Sequence, residues 1–338
     1  MRPSEIQALH DFSLSLGLFD AANSPLKGRA MTLDVDATSI EMHGEQEGVE
    51  VGYIDRDAIG PCYQYLFFRN DQLNSLLYGT LRGGAAHSQN NFCGYLQRIL
   101  PLFAGDWTLN LRADSGFFSE AAFDYCTEHR AHFFIKAPMN AARVAQANTP
   151  ALKWEKDIFD EDVEYASYET LSAKGYAWRE IFKRVKSRKK TGELLGDQMT
   201  YCLATNDLKK SNSSCYSFYN GRARIENTIL EMKEDFAIGN IVTQWFGVND
   251  AITQMTIILY QLFSHFKRHC LDKAFQPKRL STLRTQVFNV PSRMLTSGRR
   301  TWSRVYNRFH GTLFYGRIFA RIMGLRTVLV VAHRLSTA

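Results

Sequence analysis

Met31-Thr32-Leu33-Asp34-Val35-Asp36-Ala37-Thr38 alternates apolar and polar side chains with period two, the spacing of a half-buried β-strand. Two more strands follow, Cys62 to Arg69 and Leu73 to Leu81, the second ending in the glycine turn Arg82-Gly83-Gly84. Three strands on short connections make an antiparallel meander. Gln89 to Leu100 reads as a helix, with Phe92, Tyr95, Leu96 and Ile99 on one face and Pro101 as the stop. Trp107 to Ala113 is again a strand, Ser119 to His129 a helix and His132 to Lys136 a strand. The order β-β-β-α-β-α-β predicts an α/β fold: a mixed five-stranded sheet with helices on both faces, whose crossovers can lay the fourth strand beside the first.

Outward from this block the patterns change. Residues 1–30 read as a short helix and a loop through Asn23-Ser24-Pro25 and Gly28, an N-terminal remnant or linker. Residues 31–139 are the first part of the core. Residues 140–212 carry Trp154, Trp178 and short strand-like runs (Ala166 to Leu171, Gln198 to Ala204), and are expected to form a β-rich inserted subdomain. Helical period returns at Tyr219 to Phe236 and again at Val248 to Cys270, so residues 213–270 complete the core. Residues 271–338 are expected to form a helical, basic C-terminal region.

With 45% apolar and 22% charged residues in 338, wholesale disorder and fibrous classes are excluded. The formal charge is +7, but it is not spread evenly. Between Lys267 and Arg326 stand fourteen Lys or Arg against a single acid, Asp272, a local net of +13 that leaves −6 on the rest. Such asymmetry is the footprint of a polyanion binder. Six cysteines at irregular spacing, with no C-x-x-C pair, give neither a disulfide framework nor a zinc signature and fit a reducing cytoplasm. The N-terminus lacks the apolar region of a signal peptide. The greasiest stretch, Ala251 to Phe266, is interrupted by Thr253, Gln254, Thr256, Gln261 and Ser264, so no membrane span is expected.

Two constellations carry chemistry. Asp34 and Asp36 share one face of the first strand, and Arg112 and Asp114 one face of the fourth. Carboxylates at such positions must be paired, metal-bound or exposed. On the helix starting at Tyr219, the side chains of Tyr219, Arg222, Glu226 and Lys233 fall within a stripe of about 60° at 100° per residue. Asp36, Asp114 and Glu226 together would make an oxygen-only site, suited to Mg²⁺ or Mn²⁺ and to two-metal phosphoryl transfer.

An Asp-x-Thr strand, an Arg-x-Asp strand and the spacing Tyr-x₂-Arg-x₃-Glu-x₆-Lys together resemble the DDE transposases of bacterial insertion sequences, specifically the group with a Tyr-Arg-Glu-Lys signature and a β-rich insertion before the final Glu. The resemblance covers about residues 30 to 270. It implies a ribonuclease H-like core, two divalent ions and cut-and-paste transfer of DNA. Asp36, Asp114 and Glu226 would be the catalytic, metal-binding triad, with Asp34 as the rival first ligand. Tyr219, Arg222 and Lys233 would hold phosphates at the transposon end. Double-stranded DNA, as transposon end and target, is the implied partner, bound by a homodimer in the bacterial cytoplasm at the nucleoid. Family members usually carry a DNA-binding region ahead of the first Asp, and 35 residues precede Asp36 here. A truncated, non-transposing DNA-binding remnant, or a metal-dependent nuclease of the same fold, is the alternative expectation.

Lys183, Arg184, Lys186, Arg188, Lys189 and Lys190 give six cations in eight residues, a DNA-contacting arm or a solvated hairpin tip. His265 and His269 stand four apart on a helix without the Glu of H-E-x-x-H, so no metal site is expected there. Thr327 to Thr337 resembles the switch-histidine strand of ATP-binding-cassette transporters, yet the chain has no phosphate loop and nucleotide hydrolysis is excluded.

Overall fold

The computed structural model describes residues 2–23, 30–54, 58–103, 107–188, 194–241, 243–289, 291–298, 300–305 and 313–324. The chain divides into two compact units, residues 25–72 with 81–226, and residues 1–24 with 73–80 and 227–338.

The first unit is built on a sheet. Its strands are β1 (Ala30–Glu41), β2 (Glu50–Tyr53) and β3 (Ile59–Asn70); after β4 (Ser75–Gly83), which straddles the two units, come α2 (Phe92–Ile99), β5 (Thr108–Ala113), α3 (Glu120–Glu128), β6 (Ala131–Ala137) and α4 (Ala141–Ala147). Then follow β7 (Glu155–Lys156), β8 (Val163–Leu171), β9 (Ala177–Arg188), β10 (Leu194–Thr205) and α5 (Asn212–Asn220). The strand order is β2-β3-β1-β5-β6-β10-β9-β8-β7. β1 runs antiparallel to β3 and parallel to β5, and β5 parallel to β6. The fourth expected strand does lie beside the first.

Helices cover both faces. Phe133 and Phe134 are consecutive on β6 and so point to opposite faces. Phe133 stacks on Phe123 of α3 with centroids 4.3 Å apart, and Phe134 meets Phe218 of α5 at 4.7 Å. Phe133, Phe134, Ile135, Leu111, Ala113 and Val35 are all buried, the near-continuous apolar pattern of a sheet covered twice.

The β-rich stretch is not a separate layer. β10 pairs antiparallel with β6, and β9 and β8 continue outward from it. Val163, Tyr165, Ile181 and Leu203 share one core with Phe134 and Tyr216. The expected insertion therefore extends the core sheet, because β6 offers an edge whose N–H and C=O groups need partners.

The second unit begins with α1 (Pro3–Ala22), a helix of 20 residues where a short one is expected. It packs along α7 (Phe246–Cys270). His10 Nε2 lies 2.8 Å from Asp250 Oδ2, and Gln261 Nε2 donates to the Ser13 carbonyl at 3.0 Å. The rest of the unit holds most of α6 (Arg224–Glu234), α8 (Leu280–Leu283) and a hairpin, β11 (Ser292–Ser297) with β12 (Arg300–Val305). A helix over 313–324 follows. The hairpin departs from the all-helical expectation for this region. Met294, Thr296 and Trp302 suit a strand, and Gly298 at φ +60° supplies the left-handed conformation its turn requires. All six cysteines are free, and among the described residues no helix is long and apolar enough to cross a membrane.

Candidate active site

The two carboxylates of the first strand have different fates. Asp34 is fully buried, and both its oxygens are taken: Arg112 Nε donates to Oδ1 at 2.6 Å, and Arg69 Nη1 to Oδ2 at 2.9 Å. Arg69 also donates to Asp71 Oδ1 at 2.8 Å, Arg112 Nη2 lies 3.0 Å from Asp71 Oδ2, and Arg224 Nη1 reaches Asp71 at 2.8 Å. Three guanidiniums thus surround two acids. Arg112 does one thing more. Its Nη1 donates to the Phe218 carbonyl at 2.8 Å and lies where a Cβ on residue 221 would stand 2.2 Å from it, so any larger residue than Gly221 would displace the guanidinium.

This approach shapes the signature segment. Instead of one helix from Tyr219, α5 ends at Asn220, a 3₁₀ turn spans Gly221–Ala223 and α6 starts at Arg224. Tyr219 and Arg222 therefore precede the helix that carries Glu226 and Lys233. Glycine has a low helix propensity, and the break falls on it.

One pleat further along β1 lies Asp36. The parallel register pairs Val35 with Ala113, so Asp36, midway along β1, and Asp114, just past the end of β5, follow as neighbours. Asp36 Oδ2 accepts from Arg222 Nη1 at 2.9 Å and Oδ1 from the Ala37 amide at 3.0 Å. Asp114 Oδ1 accepts from the Gly116 amide at 3.0 Å. Arg222 Nη2 reaches Glu226 Oε1 at 3.4 Å from the first turn of α6. Burial pushes the Asp36 carboxyl up to about 6, with Asp114 adding to the rise and Arg222 opposing it. Burial likewise raises the Tyr219 phenol, which shares the electrostatic environment of Arg222, Asp114 and Asp36. Glu226 is mostly exposed, at 62% of its side chain.

The structure thus brings together Asp36, Asp114, Tyr219, Arg222 and Glu226. A cleft of about 610 Å³ opens beside Asp114, walled by Thr38, Ser39, Tyr53, Gln64, His87 and Ser88. A smaller one of about 230 Å³ is lined by Tyr219, Asn220, Tyr216 and Tyr201 with Lys136 and Lys183.

Against this geometry stand the comparisons with known proteins. The family described as transposase DDE domain, group 1, matches residues 3–327. The chain belongs to this DDE transposase family. A solved structure similar to it is the piggyBac transposase synaptic complex with hairpin DNA, determined by cryo-electron microscopy, at 12% identity and a TM-score of 0.40. The match covers 80% of the present chain and 59% of that one. No curated protein matches the sequence.

Other nominated residues of this DDE transposase lie elsewhere. Lys233 stands two turns beyond Glu226 on α6, half-buried, and burial lowers its ammonium. Lys183, Arg184 and Lys186 are on β9, paired between β8 and β10. Arg184 is already held: its Nη2 donates to the Ala147 carbonyl at 2.7 Å, and its guanidinium stacks 3.8 Å from the Trp154 ring. Arg188 ends β9, while Lys189, Lys190 and the 327–337 motif lie outside the described residues. Sequence reasoning misses Arg69, Asp71, Arg112 and Gly221 as functional residues. The Arg-x-Asp pattern is the one available signal, since its Arg shares a strand face with Asp114.

Proposed function

We propose that this chain is a cut-and-paste transposase of a bacterial insertion sequence, of the Tyr-Arg-Glu-Lys group, and that β3, β1, β5 and β6 with α3, α5 and α6 form its ribonuclease H-like core. The observation that carries the reading is a charge imbalance. Three carboxylates, Asp36 on β1, Asp114 just after β5 and Glu226 on α6, face one guanidinium, Arg222, in a chain of the DDE family. No nitrogen or sulfur donor belongs to the set, so it fits hard divalent ions. The two Asp are held close enough for burial and mutual repulsion to raise Asp36, which a cation would relieve.

Asp36, Asp114 and Glu226 are the catalytic carboxylates and hold two Mg²⁺ or Mn²⁺ ions. Bound divalent ions supply Lewis-acid stabilisation of the attacking and leaving oxygens of a phosphodiester. The protein fixes the two Asp on rigid adjacent strands and keeps Asp34 out of the site by saturating it with arginine. Arg222, planar and forked, exchanges its carboxylate partners for phosphate oxygens when DNA and cations arrive. Tyr219 and Lys233 hold further phosphates at the transposon end, and the cationic segment of Lys183, Arg184, Lys186, Arg188, Lys189 and Lys190 binds the duplex. Two copies of the chain pair two ends in the bacterial cytoplasm, at the nucleoid.

The test is strand cleavage of a duplex ending in the element's terminal inverted repeat, with Mg²⁺ and the full chain. Asp114→Asn is isosteric and uncharged: it is expected to bind the duplex as the wild type does and to leave it uncut. Cleavage at wild-type rate by that variant would overturn the assignment.

A further inference from the structure

The second unit holds a donor set of another kind. Asp20, in the last turn of α1, and His265 and His269, one turn apart on α7, place one ligand atom each within 4.8 Å of one another, and no other trio of such residues does so among the described residues. His265 Nδ1 lies 2.8 Å from Asp20 Oδ1, and the two imidazole centroids are 4.2 Å apart. The second oxygen of Asp20 accepts from Arg268, whose other amino group donates to the Leu73 carbonyl, so the carboxylate is oriented with Oδ1 toward the imidazoles.

We propose that Asp20, His265 and His269 bind a transition-metal dication, Zn²⁺ by its chemistry, as a clip between α1 and the C-terminal end of α7. Two imidazoles and one carboxylate suit Zn²⁺ and disfavour Mg²⁺, the reverse of the oxygen-only set at Asp36 and Asp114. Zinc bonds of about 2.0–2.2 Å in a tetrahedron put neighbouring ligand atoms about 3.3 Å apart. Rotation of His269, which is exposed, suffices to bring the third donor in. Arg268 plays the part of an outer partner that fixes a ligand's orientation. The missing Glu of H-E-x-x-H removes a general base, so the ion has a structural task.

That task is legible in how α1 docks. Its buried residues are His10, Ser13, Leu14, Gly17, Asp20 and Ala21, of which Leu14 alone is a large apolar side chain. Buried polar contacts to α7, such as His10 with Asp250 and Ser13 with Gln261, join the two helices. Ile6, Leu9, Leu16, Leu18 and Phe19 are only partly buried, and an ion bridging both helices adds its binding free energy to that of folding.

The full chain, stripped with a chelator, is titrated with Zn²⁺ in excess Mg²⁺, by calorimetry and by thermal melting. One Zn²⁺ per chain and a higher melting temperature are expected. His269→Gln, at an exposed position, is expected to fold as the wild type does, to lose the melting rise and to bind Zn²⁺ at least about tenfold more weakly, the lower end of what even an outer-shell loss costs a metal site. His129→Gln, at the residue that caps the C-terminus of α3, is the control and keeps both. Zn²⁺ binding unchanged in His269→Gln overturns the proposal, as does binding that is lost instead in Asp114→Asn, which would assign the ion to the carboxylate triad. A wild type that shows no melting rise overturns the clip.

Discussion

Asp34 and Asp36 stand two residues apart on one face of one strand, each touches arginine, and they do opposite things. Around Asp34 three guanidiniums serve two acids and every carboxylate oxygen is filled. Around Asp36 one guanidinium serves three acids; burial raises the carboxyls of both Asp34 and Asp36, that of Asp36 to about 6. The lower cluster is balanced by protein alone, and its task is to tie β1, β5 and the Phe218–Gly221 corner together. The upper one is short of positive charge. Local charge balance, more than burial or residue type, separates the acid that holds the scaffold from the acid proposed to bind a cation.

The largest effect expected from this contrast is on chemistry. Asp36→Asn should cut strand cleavage by about three orders of magnitude or more, roughly 4 kcal/mol of barrier, while Asp34→Asn acts on cleavage only through folding. Single-turnover cleavage assays on refolded protein read this, and a proficient Asp36→Asn enzyme would make Asp34 the functional acid after all.

Stability should respond in the reverse order. Arg112→Ala strands the buried Asp34 carboxylate and is expected to cost about 3–5 kcal/mol in urea unfolding. Arg112→Lys should recover little of it, since one ammonium cannot serve Asp34, Asp71 and the Phe218 carbonyl together. A loss under about 1 kcal/mol would mean the cluster is solvated and its balance irrelevant.

Asp36→Asn should instead stabilise the metal-free chain. The folded carboxyl titrates at about 6 against an ordinary 3.8, so the fold binds that proton more tightly than the unfolded chain does. Its contribution is fully present at pH below the ordinary value and is lost as pH rises through 6. Above that window the Asn variant is expected to gain about 1–3 kcal/mol over wild type, and at about pH 3 to gain nothing. Melting curves across pH decide it, and a pH-independent difference would remove Asp36 as the titrating group.

The smallest effect carries the distinction between closed and open charge into the basic region. Arg279 pairs with Glu234 and Asp235, and Arg317 and Arg321 with Asp272, whereas Arg284 and Arg293 are exposed. Neutralising Arg284 or Arg293 should flatten the salt dependence of DNA affinity by about 0.9 in log–log slope for each phosphate left without its cation, and Arg279→Gln should leave the slope as it was. Equal slopes for all three variants would make the basic end a solvated surface.

The sequence by itself determined what is local. Period-two alternation marks β1, β5 and β6, helical spacing marks α3 and α7, and Asp36, Asp114, Tyr219, Arg222 and Glu226 are nominated by type, spacing and resemblance to the DDE transposases, with Asp34 as the rival of Asp36. Backbone geometry makes such periods a property of a few consecutive residues, so they survive without tertiary information. Only the tertiary structure decided what depends on partners far along the chain. That β10 closes on β6, so that the insertion prolongs the sheet, is a matter of which edge is open. That residues 292–305 form a hairpin, and that α1 runs 20 residues along α7, follow from packing surfaces no window contains. Asp34 and Asp36 are indistinguishable by pattern, being on one face of one strand. Arg69, Arg112 and Arg222, which separate them, approach from residues 35 to 186 positions away, and only folding brings them there.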